Sequence, residues 1–115
     1  MSDEWKIVFY ETTDDDTPVE DFIKSLPEKA QDKIARTFDY LEEFGIALGA
    51  PRLKKLTGTS LWELRILGAD SIRIFYITQT GKIFLLLHGF KKKAQKTPKK
   101  EIAIAEKRLR EFQNR

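Results

Sequence analysis

The sequence contains no cysteine, so disulfide bonds and thiolate metal sites are excluded. Its longest strictly apolar run, Ile83–Leu87, is far too short to span a bilayer. The chain starts Met-Ser-Asp-Glu-Trp-Lys, and this start lacks the basic region and apolar stretch of a secretory signal. These absences predict a cytoplasmic protein with no place in a membrane.

The composition is that of a folded globule. Of the 115 residues, 41% are hydrophobic and 34% are charged, and a chain of this size buries enough surface for one core without covalent staples. We therefore predict a single domain that covers residues 1–115.

Charge is strongly segregated along the chain. Residues 1–44 carry 5 Lys/Arg against 13 Asp/Glu, whereas residues 45–115 carry 16 against 5. One interpretation is a basic surface that attracts a polyanion. The alternative is that the two halves neutralise each other within the fold.

Local patterns predict the first half as a strand followed by a helical hairpin. Trp5–Tyr10 is β-branched and aromatic, as in a strand. Thr17 and Pro18 favour a helix start, and Pro27 marks the start of a second helix. The apolar face of that second helix is predicted from residues at helical spacing, namely Ala30, Ile34, Phe38, Leu41 and Phe44.

The pattern of the second half predicts three strands and a helix. Leu61–Leu67 and Ser71–Thr78 are predicted strands joined by a turn at Gly68-Ala69-Asp70, and Ile83–His88 is a third, buried on both faces. Pro51–Ser60 is predicted as a connection, the strand run as ending at Gly89, and Thr97-Pro98 as opening a last helix. The order β-α-α-β-β-β-α predicts an α+β domain whose helical hairpin packs on a small antiparallel sheet.

Two features are not explained by stability alone. If the hairpin turn centres on Ala69, Arg65 lies directly opposite Arg73, and like charges across a ladder are destabilising. Two adjacent guanidinium groups suit a phosphate. A register slip of one residue, or neutralisation by Glu63, would remove this argument.

The second feature is the basic segment Lys91–Lys100, in which six of ten residues are lysine. Lys99 and Lys100 fall in the predicted first turn of the last helix, where cations oppose the helix dipole. Such a segment favours an anion ligand, although a solvated charge run is the ordinary alternative. Two further lysines in the loop before the hairpin, Lys54 and Lys55, together with Arg52, either extend this surface or simply face solvent.

The aromatic residues and the one histidine allow both functional and structural roles. Phe90, beside the lysines, could stack on a base, whereas Trp62 and Phe84 are predicted in the core. His88 could serve as an acid or base, but a structural histidine is the more ordinary case. The sequence has no metal-ligand spacing, phosphate loop or Ser/His/Asp arrangement.

Three stretches resemble the phage-derived, HigB-like branch of the RelE/ParE toxin superfamily. They are LKKLTGTSLWELRI from Leu53, SIRIFYI from Ser71, and IFLLLHGFKKKAQKTPKKEIAIAEKRLREF from Ile83. The resemblance implies a RelE-like fold with a small twisted sheet. It also implies the toxin of a type II toxin–antitoxin system, a ribosome-dependent endoribonuclease that needs no metal or other cofactor. The implied chemistry is attack of the ribose 2′-hydroxyl on the adjacent phosphate of messenger RNA.

The resemblance also implies partners and site residues. The implied partners are the ribosome, messenger RNA and a helix-turn-helix, HigA-like antitoxin. Operator DNA is expected to be bound only through that antitoxin. Arg65, Arg73 and Lys91 match the family's basic catalytic positions. The remaining predicted RNA contacts are basic or aromatic residues expected near these three positions: Lys54, Lys55, Phe90, Lys92, Lys93, Lys96 and Lys99.

The sequence departs from some nuclease members. Thr97-Pro98 and Glu111–Arg115 stand where those members have a tyrosine or a histidine, and Glu63 stands where some have a lysine. A clear general acid and base are therefore missing. Two alternatives stay open, a ParE-like gyrase inhibitor and an RNA- or ribosome-binding module without cleavage.

Overall fold

The computed structural model describes residues 4–68 and 71–115. The elements in chain order are β1 (Lys6–Phe9), α1 (Pro18–Lys24), α2 (Glu28–Phe44), a 3-10 helix (Gly45–Leu48), β2 (Leu53–Lys55), β3 (Trp62–Arg65), β4 (Ile72–Gln79), β5 (Ile83–Lys91) and α3 (Lys99–Gln113). The α+β class and the helical hairpin after the first strand are therefore confirmed. The predicted turn at 68–70 falls largely outside the described residues.

The strands form one sheet in the order β1-β5-β4-β3-β2. The pairs β2–β3, β3–β4 and β4–β5 are antiparallel. β1 instead pairs in parallel with β5, from Lys6 opposite Ile83 to Phe9 opposite Leu86. The sheet is thus mixed rather than purely antiparallel. β1 runs opposite to β2, the first strand after the helices, and the three antiparallel pairings that follow bring β5 into the direction of β1.

Helices cover both faces of the sheet. The face under α1 and α2 carries one core cluster, which includes Leu64, Ile74, Tyr76 and Phe84. The opposite face packs against α3 through a second cluster. That cluster is made of Tyr10, Leu61, Phe75, Leu85, Leu87, Phe90, Ala105 and Leu109. β5 is buried on both faces over most of its length, as its apolar sequence predicts.

A β-bulge interrupts the β4–β5 pair next to His88. Phe75 pairs with His88 while the next residue, Tyr76, pairs with Leu86, so the pairing skips Leu87. Such an extra residue re-aims the side chains around it. Leu87 packs in the α3 cluster and His88 bonds side chains of α3, so both serve the same face.

Gly89 allows α1 to approach β5 closely. A Cβ at this position would lie 2.6 Å from Cδ2 of Phe22, which is shorter than any normal carbon contact. The ring of Phe22 therefore occupies the space that a side chain on residue 89 would need. This contact fixes α1 to the strand immediately before Phe90.

Several local predictions are wrong. Pro51–Ser60 contains the edge strand β2, and β5 continues through Gly89 to Lys91. Thr17 makes no side-chain cap on α1, and Pro98 rather than Thr97 is the residue before α3. Phe44 is 48% exposed and Trp62 is 38% exposed, so neither is a core residue, whereas Phe84 is fully buried as predicted.

In the described ranges, 4–68 and 71–115, no helix combines the length and apolar character that crossing a bilayer requires.

Candidate functional site

The two arginines of the β3–β4 hairpin lie directly opposite each other. Leu64 pairs with Ile74 and Arg65 pairs with Arg73, which is the register that the sequence predicts. Cross-strand partners point to the same face of a sheet, so both guanidinium groups belong to the α3 face. They border the α3 core cluster, because Arg73 pairs on its other side with Phe90, a member of that cluster.

A buried carboxylate accompanies this pair. The Glu63 side chain is 2% exposed, and its Oε1 lies 2.8 Å from Nε of Arg73. The N–H of Arg73 is not aligned with that oxygen, so the contact is an ion pair without a hydrogen bond. The alternative that Glu63 neutralises the arginines therefore holds for Arg73. Among the described residues, one of the two positive charges is balanced and one remains.

The two guanidinium groups are held differently. Arg73 Nη1 donates a hydrogen bond to the carbonyl oxygen of Ile72 at 3.1 Å. Nε of Arg65 is buried and finds no hydrogen-bond partner among the described residues. A buried donor without a partner carries a desolvation cost. Arg65 therefore keeps a hydrogen-bonding capacity that the described protein atoms leave unused.

Both arginines line an open, largely polar pocket of about 470 Å³ at the end of the hairpin. Its wall includes Pro51, Arg65, Ile66, Leu67, Gly68, Ser71 and Arg73. Two guanidinium groups and a serine in one pocket provide several hydrogen-bond donors for an anion. The pocket can bind and stabilise negative charge.

Strand alternation separates Lys91 from the arginine pair. Lys91 pairs with Ile72, whereas Phe90 pairs with Arg73, so Lys91 belongs to the opposite face of the sheet. The ladder continues one residue further, because the Lys92 N–H donates to the Ser71 carbonyl at 2.9 Å. By the same alternation Lys92 shares the face of Arg73. Sequence reasoning misses this difference because the glycine at position 89 favours an earlier strand end.

The other predicted lysines occupy exposed positions. Lys93 and Lys96 lie in the segment between β5 and α3, and Lys99 begins α3. Lys54 and Lys55 lie on the edge strand β2, where Lys54 pairs with Glu63 and Lys55 with Trp62. Lys54 therefore shares the face of the arginine pair, while Lys55 lies on the other face and donates to the Thr59 carbonyl.

Phe90 is part of the core rather than of an open surface. It is 6% exposed, and its ring lies 5.0 Å from that of Phe75 and is stacked on His88 at 5.7 Å. The packing occupies the ring faces that a base would need. The predicted role of Phe90 in stacking on RNA does not match this placement.

His88 connects β5 to α3. Its Nε2 lies 3.1 Å from Glu101 Oε1, and its Nδ1 lies 3.1 Å from Nη1 of Arg108, which also donates to the Leu87 carbonyl. Arg108 can only donate, so Nδ1 accepts a hydrogen bond from it. Nε2 therefore carries the ring proton and donates a hydrogen bond to Glu101. Burial is the main cause that lowers the pKa of His88. Glu101 raises the pKa in part, and the positive charge of Arg108 lowers it further. His88 has the structural role.

Over the described part of the chain, no three His, Asp or Glu side chains are grouped so that they could hold a metal ion.

Comparison with known proteins gives one family. Residues 21–110 match the family described as Phage derived protein Gp49-like (DUF891), which is a RelE/HigB-type toxin family. The match covers every element from within α1 to within α3, including the hairpin and the basic segment. No curated protein matches the sequence.

Proposed function

The chain belongs to the phage-derived Gp49-like family of RelE/HigB-type toxins, and on this premise we propose that it cleaves messenger RNA on the ribosome. The family implies a toxin–antitoxin system and therefore an antitoxin partner. For this partner we propose a helix-turn-helix protein of the HigA type, through which the complex binds its operator.

The observation that carries the proposal is the placement of Arg65 opposite Arg73 at a polar pocket. In RNA cleavage of this kind the 2′-hydroxyl loses its proton to solvent as its oxygen bonds to the adjacent phosphorus, the bond from phosphorus to the 5′-oxygen breaks, and the 5′-oxygen takes a proton from water. The products are a 2′,3′-cyclic phosphate and a 5′-hydroxyl, and negative charge builds on the phosphoryl oxygens on the way. Hydrogen-bond donors that are already in place around that charge stabilise the transition state more than the ground state, and they therefore lower the barrier. A deoxyribose strand lacks the attacking hydroxyl, which makes RNA the substrate.

Each arginine has a distinct proposed role. Arg73 is oriented by Glu63 and by the Ile72 carbonyl, so its remaining N–H groups are directed for transition-state stabilisation. Arg65 lines the same pocket and has no carboxylate partner among the described residues, and we assign it to orienting the scissile phosphate. Catalysis by this pocket is therefore mainly electrostatic, since Glu63 is buried and already paired.

A lysine at the end of β5 completes the proposed site. The resemblance assigns this role to Lys91, whereas the pairing of the ladder puts Lys92 on the arginine face. Separate substitution of the two lysines distinguishes these assignments. The remaining lysines hold RNA through its backbone, which makes binding weaken with salt.

The test is induction of the protein in bacteria, with messenger RNA ends mapped by primer extension. We expect new cuts within coding regions, and a loss of about 10²–10³-fold in cutting rate for Arg73→Ala. Lys6→Ala with Lys107→Ala, which alters exposed lysines on β1 and α3, is the control and should cut normally. Growth arrest without new cuts, or cutting that survives Arg73→Ala combined with Lys91→Ala and Lys92→Ala, would show that the proposal is wrong.

A second candidate is a non-nucleolytic inhibitor of DNA gyrase. One observation favours it: the described residues that line the arginine pocket include no histidine, tyrosine or carboxylate that could act as general acid or base. Inhibition of supercoiling by the purified protein would support this candidate. Full gyrase activity at excess protein would eliminate it. RNA binding without cuts or growth arrest would instead indicate a binding module.

A further inference from the structure

A second basic pocket adjoins the arginine pocket at Leu67, on the side of α2. It has a volume of about 210 Å³ and is lined by Lys33, Arg36, Thr37, Tyr40, Arg52 and Leu67. Lys33, Arg36 and Tyr40 are spaced to share one face of α2. Arg52 enters from the connection that precedes β2. The pocket therefore joins two parts of the chain that sequence analysis assigns to opposite charge classes.

The three cations have no acidic partner in the described part of the chain. Lys33 Nζ donates to the carbonyl oxygen of Gly68, and the Arg52 guanidinium lies 5.5 Å from the Tyr40 ring centroid. None of Lys33, Arg36 and Arg52 forms an ion pair with any residue in 4–68 or 71–115. Three positive charges around one pocket create a positive potential there. An anion that entered would lower their mutual repulsion.

The two pockets are neighbours. Leu67 lines both, and the Arg65 N–H donates to the Arg52 carbonyl at 2.8 Å. A chain with regularly spaced phosphates can therefore pass from one pocket to the other across Leu67. A small isolated anion would fill only one of them.

Two exposed side chains, one aromatic and one aliphatic, lie among the cations. Tyr40 is 38% exposed and Leu67 is 46% exposed. Grooves that bind single-stranded nucleic acid combine cations for the backbone with aromatic faces for the bases. The pocket has both components, whereas a site for a simple anion would need only the first.

We propose that this pocket binds a second phosphate of the same single-stranded RNA, with Tyr40 and Leu67 against a neighbouring base. The identification of the polyanion as RNA rests on the proposed function. This second site on α2, in the acidic half of the chain, extends the proposed substrate-binding surface beyond the scissile phosphate.

The test compares two probes by fluorescence anisotropy at low salt, a labelled RNA dinucleotide and a labelled hexanucleotide. Wild-type protein should bind the hexanucleotide more tightly, because only the longer probe reaches both pockets. Lys33→Ala with Arg36→Ala should weaken hexanucleotide binding roughly tenfold and leave dinucleotide binding unchanged. The slope of log affinity against log salt should become shallower by about 0.7 for each phosphate that the variant no longer neutralises.

Two further variants separate the ionic and stacking parts. Arg36→Glu alters an exposed helical position and should act like the double variant without disturbing the Lys33–Gly68 hydrogen bond. Tyr40→Leu should weaken hexanucleotide binding about fivefold or more while leaving the salt slope unchanged, since stacking releases no counterions. The control is Lys6→Ala with Lys107→Ala, which removes the same charge away from both pockets.

The results distinguish this inference from the proposed nuclease. If the pocket variants bind the hexanucleotide like the control, or if wild-type protein does not bind it, the second pocket is not an RNA site. Cutting in cells that still depends on Arg73 would then leave the nuclease proposal standing. Conversely, selective loss of hexanucleotide binding without any cutting in cells would support the pocket and reject the nuclease.

Discussion

Oε1 of Glu63 lies 2.8 Å from Nε of Arg73, beneath the surface of the sheet. Glu63 is flanked on its own face by Lys54 across β2 and by Phe75 across β4. Arg65 and Arg73 are like charges in direct opposition, so a buried carboxylate beside them is what makes their pairing tolerable. It also restricts the orientation of Arg73.

Substitution of Glu63 should therefore destabilise the fold through Arg73. We expect Glu63→Gln to lower the free energy of unfolding by about 2 kcal/mol, because it removes the carboxylate that balances the Arg73 guanidinium group. Urea unfolding gives the value. In an Arg73→Ala background the same substitution should cost much less, and an equal cost in both backgrounds would show that the ion pair does not contribute.

The burial of His88 predicts a pH dependence of stability. The pKa of His88 in the folded state lies below the ordinary value of 6.5. His88 therefore takes up a proton more readily in the unfolded chain than in the folded protein. Stability should therefore be full above that ordinary value and decline as pH falls through it. Urea unfolding of wild type and His88→Gln at several pH values should show this decline only in the wild type. Parallel curves would contradict the assignment.

His88 is the only histidine in the chain, so its titration can be followed by NMR from a single imidazole. Glu101→Gln should lower its pKa further, because Glu101 favours the charged ring. Arg108→Met should raise the pKa, since it removes a nearby positive charge and frees Nδ1. Shifts of the same sign in both variants would be inconsistent with the observed hydrogen bonds.

The close approach of Gly89 and Phe22 predicts a clash that can be relieved. Gly89→Ala would place a methyl group against the Phe22 ring and should cost about 1–3 kcal/mol of stability. Phe22→Leu provides room, so Gly89→Ala should cost less in that background. Urea midpoints of the four proteins measure the difference, and additive effects would mean that the two residues do not compete for space.

Much of the hairpin can be predicted from sequence because local rules determine it. A turn between two apolar strands fixes the register, and the register fixes which residues face each other, so counting from the turn is enough to pair Arg65 with Arg73. β2 escapes prediction because three residues within a Gly- and Thr-containing stretch carry too little pattern. The prediction that Lys91 lies with the arginines depends on a strand end at Gly89, and β5 runs two residues further.

The other differences depend on tertiary packing. Phe90 and Trp62 are both aromatic strand residues, yet α3 covers the first and no described helix covers the second to the same extent. No local pattern distinguishes them. Lys33 and Arg36 escape prediction because the net charge of their half is negative, although their spacing on one helix puts them on a common face.

The parallel pairing of β1 with β5 also governs when the sheet can be completed. Lys6 pairs with Ile83, so the first strand of the chain must wait until that distant segment has been synthesised. Pairings of such long sequence separation form late and slow the folding rate, because chain entropy is lost before they form. Gly89, Phe90 and the basic strand end belong to the same β5. These residues pair with β4 in a hairpin of consecutive strands and not with β1, so the proposed RNA-binding surface can form before β1 closes the sheet.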